Sequence, residues 1–457
     1  MSDKYTKILA NYTYRTEDIP KETVHEVKRR ILDSLGVMFA ALDGDAPVAA
    51  RRYGHLFPHP DGVTIFGEDF KTNPEIAAFV NGVMVRYLDF NDTYLSKEPL
   101  HPSDMIPGLL AIAEWRGLNG ADLIKAIAIA YEVAVNLCDA ASLRAHGWDH
   151  VNYIAVGETC GAAKLLGLAT EAIENALAIA VVPHASMRQT RAGELSMWKG
   201  AAAANSVRNA IFAALMAMSG MTGPARPFAG EMGFIAQLLA GEDLEDLALE
   251  PLLKGRPPTR ILDTYIKFYP VEYHAQSIVD IVGELHEEIG DPSRIEEVHI
   301  ETFKAAYEII AKDPEKWHPR TRETADHSIQ YITIVGLLDG QVTKESFDSE
   351  RLNDERVIEL LSKRTTLEEK PELTAGYPDG IPNRVTVRTK EGKTYTKEVR
   401  YPRGHAKNRM TDDEVIGKFR GNVEGILPPE RSRRLIETIM ELEELDDLGE
   451  ITRLWIP

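Results

Sequence analysis

The segment from residue 86 to residue 104 carries the densest set of side chains that could do chemistry. Asp89 and Thr93 lie at helical spacing within it, and His101 precedes a proline, which holds a histidine in an extended or turn conformation. Histidine suits proton transfer because its reference pKa is about 6.5. The pattern indicates an acid/base unit of Asp89 and His101, although Asp92 and Thr93 could equally be capping residues.

Further ionisable residues recur along the chain in otherwise apolar surroundings. A buried cation is costly unless a carboxylate meets it, and arginine and lysine bind carboxylates well. These segments therefore indicate a site for an acidic substrate, with His150 next to an aspartate, Asp149, that is not expected to share its helical face. The candidate residues are Arg86, His150, Arg191, Lys199, Lys267, Glu272, His274 and Tyr331.

Two other kinds of protein fit part of this pattern. Asp89, Asp92, His101 and His150 could converge as the metal site of a helical hydrolase, but no pair of ligands has the close spacing of H-E-x-x-H. An inactive helical scaffold would explain the alanine-rich segments but not so many basic residues in apolar surroundings. We therefore expect no metal site.

Hydrophobic periodicity predicts that helices position most of these residues. Val27, Ile31 and Leu35 recur at helical steps after Pro20, which suits a first helical turn. The same reasoning, with Asn119 as an N-cap, gives several helices. The predicted helices are 20–42, 119–139, 171–182 and 201–219.

The pattern changes after residue 270. Alternation predicts a strand over 295–303, and two further runs, 384–389 and 394–401, flank Glu391-Gly392 as in a β-hairpin. Helical periodicity returns after Thr411. The predicted fold class is mainly α: a large all-helical domain with a smaller α+β domain.

Composition excludes several classes of protein. The 457 residues suggest two or three domains, and a net charge of −19 argues against nucleic-acid binding. Two cysteines cannot supply an iron–sulfur cluster or a disulfide framework. Neither a secretory signal nor a run of eighteen apolar residues is apparent, so we expect a cytoplasmic protein that does not bind membranes.

Five ordered motifs together resemble the MmgE/PrpD family, most closely its 2-methylcitrate dehydratase branch. They are RYLDFNDTYLSKEPLHPSD, GWDHVNYIAVGETCGAAKLLGL, FYPVEYHAQS, ADHSIQYITIVGLLDG and YPRGHAKNRM. The resemblance implies a helical domain over 1–268, an α+β lid over 269–403, and a segment over 404–457 that returns to the helical domain. It also implies a homodimer that acts on a tricarboxylate without a cofactor.

The resemblance also implies site residues. The family pattern falls on Asp89, Thr93, His101, His150, Lys199, Lys267 and Tyr331. Where cis-aconitate decarboxylases have a histidine, this chain has Glu272, with His274 two residues on, which favours dehydration over decarboxylation and leaves epimerisation as an alternative. The expected catalytic residues are Asp89, His101, His150, Lys267 and His274. The expected substrate-binding residues are Arg86, Thr93, Arg191, Lys199, Glu272 and Tyr331.

Overall fold

The computed structural model describes residues 2–456, and helices dominate it, as the predicted fold class requires. Among these residues, no helix combines the length and apolar character needed to cross a membrane. The helices of the N-terminal part are α1 (Lys4–Arg15), α2 (Lys21–Ala40), α3 (Asp45–Gly54), α4 (Pro74–Tyr87), α5 (Ile106–Arg116), α6 (Gly120–Ala140), α7 (Val151–Leu165), α8 (Thr170–Val181), α9 (Trp198–Met218), α10 (Phe234–Leu238) and α11 (Asp246–Leu253).

The four helices predicted from periodicity are confirmed, with boundaries shifted by a few residues. In α2 the periodic residues Val27, Ile31 and Leu35 are all fully buried. At the start of α6 the Asn119 side chain accepts a hydrogen bond of 2.9 Å from the Asp122 N–H. Burial of an apolar face and an N-terminal cap therefore account for these helices.

The sequence did not predict the small antiparallel pair β1 (Pro58–Thr64) and β2 (Lys71–Thr72). Strand β1 contains two prolines, and its first four residues are exposed, so it lacks the alternation by which a strand is recognised. The N-terminal part is thus mainly helical rather than wholly so.

The region after residue 270 contains a four-stranded sheet in the order β4-β3-β5-β6. Strand β3 pairs in parallel with β4 and antiparallel with β5, and β5 and β6 form the predicted hairpin. The strands are β3 (Ile295–Thr302), β4 (Thr365–Glu369), β5 (Asn383–Thr389) and β6 (Thr394–Val399). The helices here are α12 (Gln276–Ile289), α13 (Lys304–Ala306), α14 (Arg322–Ala325), α15 (Ile329–Asp339), α16 (Ser349–Leu352), α17 (Glu355–Glu359) and α18 (Pro371–Thr374).

Buried apolar residues form two clusters. The first core contains residues from Tyr5 to Ile266 and again from Met410 to Trp455, which includes α19 (Asp412–Val423), α20 (Pro429–Met440) and α21 (Gly449–Leu454). The second core runs from Val271 to Tyr395 and adds Leu95 and Tyr265. This division is compatible with the expected domains 1–268, 269–403 and 404–457, whose exact boundaries stay a prediction.

Candidate active site

Asp89 is the centre of a buried cluster of charged side chains between the two cores. It follows the end of α4 and has φ +51°, a left-handed conformation that only a few per cent of residues other than glycine adopt. Its Oδ1 accepts hydrogen bonds from Arg86 and, at 2.8 Å, from Lys267. The Nζ of Lys199 lies 3.5 Å from Oδ2. Three cations from three separate segments therefore meet on one carboxylate.

These cations fix the charge of Asp89. Burial acts to raise its pKa, but Arg86, Lys199 and Lys267 outweigh burial and lower the pKa well below its ordinary value. The carboxylate is therefore ionised at neutral pH and positions cations rather than donating protons. A second carboxylate, that of Asp326, also lies near Lys199, with its Oδ2 3.6 Å from Lys199 Nζ. Lys199 therefore lies between two carboxylates, one of which also holds Arg86 and Lys267.

His101 has the arrangement of a neutral base. Its Nδ1 lies 2.8 Å from the carbonyl oxygen of Asp92. A carbonyl can only accept, so Nδ1 carries the proton and Nε2 keeps its lone pair. Burial, reinforced by Arg86 and Lys267, lowers the pKa of His101 well below its ordinary value. The ring is thus uncharged at neutral pH.

His150 lies beside His101, with ring centroids 5.6 Å apart. Its Nδ1 is 3.1 Å from Asp149, a contact that the sequence did not predict, since both residues precede α7 rather than occupying it. Arg191 Nε in turn lies 2.9 Å from Asp149. Burial and Arg191 lower the pKa of His150 to about 3. Its Nε2 is buried without a hydrogen-bond partner within residues 2–456.

Glu272 and His274 approach the cluster from the second core. The Glu272 N–H donates to the carbonyl oxygen of Asp326 at 2.9 Å, and the Glu272 side chain lies 2.8 Å from His274 Nδ1. Although burial acts to raise it, His274 lowers the pKa of Glu272 to about 2. The ionised carboxylate can only accept, so His274 Nδ1 carries a proton and donates it to Glu272.

Two predicted residues use their hydroxyl groups elsewhere. Thr93 donates to the carbonyl oxygen of Leu100 at 3.0 Å and pairs through its backbone with Tyr265. Tyr331 donates to the carbonyl oxygen of Ser346 at 2.8 Å, inside the second core. Their roles in substrate binding stay predictions, and these contacts give them no support.

Three residues of the cluster, Asp104, Asp326 and His327, stand in polar segments of the sequence but are not among the expected site residues. His327 Nδ1 lies 2.5 Å from Asp326 and its Nε2 lies 3.4 Å from Asp89. Burial and Lys199 lower the pKa of His327 to about 4, and burial raises the pKa of Asp104 to about 7. The signal for two of them was present, because Asp326-His327 stands in the same motif that supplied Tyr331.

Asp89, Asp326 and His327 also have the spacing of a metal site, since one ligand atom from each lies within 4.8 Å of the others. However, Lys199 Nζ already approaches both carboxylates, and Arg86 and Lys267 contact Asp89 as well. A further cation would meet like charges there. Because these cations already occupy the two carboxylates, the three residues are poorly suited to hold a metal ion.

Comparisons with known proteins identify the family of this chain. The family model of the MmgE/PrpD N-terminal domain matches residues 7–247, and that of the C-terminal domain matches residues 269–444. The 2-methylcitrate dehydratase of Escherichia coli K12 is 31% identical over 92% of this chain and 89% of the relative. That of Salmonella typhimurium is also 31% identical, over 95% and 92%. The cis-aconitate decarboxylase of Mus musculus is 29% identical over 94% and 88%. This chain is therefore a member of the MmgE/PrpD family.

Proposed function

We propose that this protein is a hydro-lyase that removes water from 2-methylcitrate, or from a closely related tricarboxylate, to give 2-methyl-cis-aconitate. One observation carries the proposal: a neutral histidine base, His101, lies in a buried cluster where three cations surround Asp89. The names of the dehydratase relatives support the same reaction.

The reaction breaks a C–H bond next to a carboxylate and a C–O bond on the neighbouring carbon. The negative charge that develops on the carboxylate needs donors already in place, which Arg86, Lys199 and Lys267 supply. These cations are buried, so their interaction with a carboxylate is weakly screened by solvent. They hold the substrate and stabilise its charged transition state.

We assign the two proton transfers to His101, which lies shortly before α5, and His274, which lies shortly before α12. His101 Nε2 takes the proton from the methyl-bearing carbon, and the electrons of the C–H bond pass onto the adjacent carboxylate. They return to form the double bond as the C–O bond breaks, and the hydroxide leaves as water with a proton from His274, which Glu272 orients. In this assignment Asp149 and Arg191 orient His150, whose Nε2 is free to accept a hydrogen bond from the substrate hydroxyl.

A panel of substrates tests the proposed reaction. The protein is given 2-methylcitrate, citrate and cis-aconitate, and the products are identified by mass. Loss of water from 2-methylcitrate is the expected result. Loss of carbon dioxide from cis-aconitate would instead assign the decarboxylase activity named for the Mus musculus relative. The glutamate at position 272 argues against that outcome.

The lowered pKa of His101 predicts an unusual pH dependence. A base must be deprotonated to act, so His101 limits activity only on the acid side, as pH drops through its pKa. Followed downward from about pH 8, the acid limb of kcat/KM should have its midpoint well below the ordinary histidine value of about 6.5. Steady-state rates with 2-methylcitrate across that range check this. An acid limb with its midpoint at or above about 6.5 would contradict the assignment.

The protein is further proposed to act as a homodimer, as the family resemblance implies. Large apolar side chains are concentrated on the surface between residues 182 and 221. Trp198 and Phe212 lie on the same side of α9 and are 50% and 43% exposed. Exposed apolar patches of this kind mark protein interfaces. The other members of the patch are Val182, Met187, Met197, Met218 and Met221.

The substitution Phe212→Asp tests this interface. It should convert the dimer to a monomer, because a buried carboxylate at an apolar interface is costly. Size-exclusion chromatography with light scattering measures the mass. Leu247→Asp is the matched control, since Leu247 is 79% exposed but lies outside the patch. A monomeric wild-type protein, or equal effects of both substitutions, would contradict the proposal.

The expected cytoplasmic location stays a prediction. Both cysteines, Cys138 and Cys160, are buried and free. Free thiols are consistent with a reducing compartment. Fractionation of cells that express the protein would test the location directly.

A further inference from the structure

Lys316, in the short helical turn Pro314–Trp317, is a buried lysine that the proposed mechanism does not use. Lys316 is only 3% exposed. None of the described residues forms an ion pair or a hydrogen bond with its Nζ. Unlike Lys199 Nζ, the Nζ of Lys316 is not fully enclosed, so a ligand that is not part of the chain can reach it.

The position of Lys316 is fixed against the Asp326 segment. Ser328 Oγ donates to the carbonyl oxygen of Lys316 at 2.6 Å. Burial lowers the pKa of Lys316, and Asp326, Asp313 and Glu272 oppose that effect, while Lys199 adds to it. Lys316 and Lys199 are therefore two cations near the same carboxylate, Asp326.

Several buried polar atoms around these lysines also lack partners. Lys199 Nζ and Asp326 Oδ2 have no hydrogen-bond partner in the described part of the chain, and neither does His274 Nε2. Buried polar groups without partners are rare, and each one calls for an explanation. Lys199 Nζ and Asp326 Oδ2 lie 3.6 Å apart, and a polar ligand would supply the hydrogen bonds that they lack.

We infer that Lys316 binds one carboxylate of the substrate from the second core, opposite Arg86 and Lys267. The inference rests on the proposed function and extends it. Arg86 and Lys267, which contact Asp89, can bind a substrate by the carboxylate at one end. A ligand with three carboxylates can also bind Lys316 and Lys199. Lys316 thus selects tricarboxylates over dicarboxylates.

Two competitive inhibitors of the same carbon length separate this role from a structural one. Propane-1,2,3-tricarboxylate carries the third carboxylate and propane-1,3-dicarboxylate lacks it. The variant Lys316→Met removes the charge but keeps the length and much of the volume of the side chain. Lys312→Met is the matched control, because Lys312 is exposed four residues earlier.

We expect Lys316→Met to weaken binding of the tricarboxylate by about tenfold to a hundredfold, the range for a charge-assisted hydrogen bond. Binding of the dicarboxylate should change by less than about threefold, and Lys312→Met should change neither. Thermal unfolding should show Lys316→Met at least as stable as wild type, because an unpaired buried ammonium is removed. Lys316→Gln repeats the test if the methionine variant does not fold.

Two results would overturn the inference while the proposed function stands. In the first, the wild-type protein dehydrates 2-methylcitrate, but the Lys316→Met variant binds the tricarboxylate as tightly as the wild-type protein does. The other is a variant in which both acids lose affinity equally. A wild-type protein that neither binds these acids nor dehydrates 2-methylcitrate would overturn both proposals.

Discussion

Replacing His101 with alanine should lower kcat at least about a hundredfold while the protein stays folded. The substitution removes the only group to which we assign proton abstraction. It also leaves the carbonyl oxygen of Asp92 without its 2.8 Å partner, which costs about 1–3 kcal/mol of folding free energy. That loss is smaller than the stability of a typical domain. Steady-state kinetics with 2-methylcitrate and a thermal unfolding curve measure the two effects separately.

The chain offers a matched control for this substitution. His286 also places Nδ1 against a backbone carbonyl, that of Leu337 at 2.9 Å, but it packs within the second part of the fold. His286→Ala should therefore lose similar stability and keep its turnover. Near-normal turnover in His101→Ala would remove His101 from the mechanism.

An analogue in which fluorine replaces the leaving hydroxyl separates the base from the acid. Fluoride leaves without a proton, so His274→Ala should be much less impaired with this analogue than with 2-methylcitrate. His101→Ala should be impaired with both compounds. The reverse pattern would exchange the two assignments.

Replacing Asp89 with asparagine should have the second large effect. Asparagine fits the site and tolerates φ +51°, but it leaves Arg86, Lys199 and Lys267 without their shared carboxylate. Breaking a buried ion pair in this way costs about 3–5 kcal/mol of folding free energy. The displaced cations should also lower kcat/KM by about a hundredfold, the usual cost of misplacing a catalytic group.

The stability effect of Asp89→Asn has a defined pH dependence. The folded-state pKa of Asp89 lies below its unfolded value of about 3.9, so its contribution is fully present above that pH. The difference from wild type should be constant from neutral pH to about 3.9 and shrink below it. Asp263→Asn is the control, because Asp263 is exposed and its ion pair with Arg260 is at the surface. Equal stability losses in both variants would contradict a special role for Asp89.

The sequence predicted elements whose signal is local. Helices α2 and α6 follow from periodic burial and from the Asn119 cap, and the hairpin β5–β6 follows from its turn residues. Strand β4 could not be predicted, because it pairs with β3, which lies more than sixty residues earlier in the chain. In addition, its residues alternate between partly buried and exposed, so the strand has no fully buried face. Long-range pairing leaves little trace in local pattern.

The candidate site shows the same limit. Asp89, Lys199 and Lys267 were named from separate motifs, and the fold brings them within contact distance. Tyr331 was named from its motif, but helix α15 directs its hydroxyl to Ser346. A motif identifies a segment, whereas the rotation of a helix decides which of its side chains faces the site.

The central claim is that side chains alone perform the elimination, and turnover of 2-methylcitrate after metal removal tests it most directly. The protein is treated with a chelator, transferred to metal-free buffer and incubated with 2-methylcitrate, and the product is identified by mass spectrometry. We expect a product lighter by one water, formed at the rate of untreated protein. Activity that disappears with the chelator and returns with an added divalent cation would contradict the claim and favour a metal ion at Asp89, Asp326 and His327.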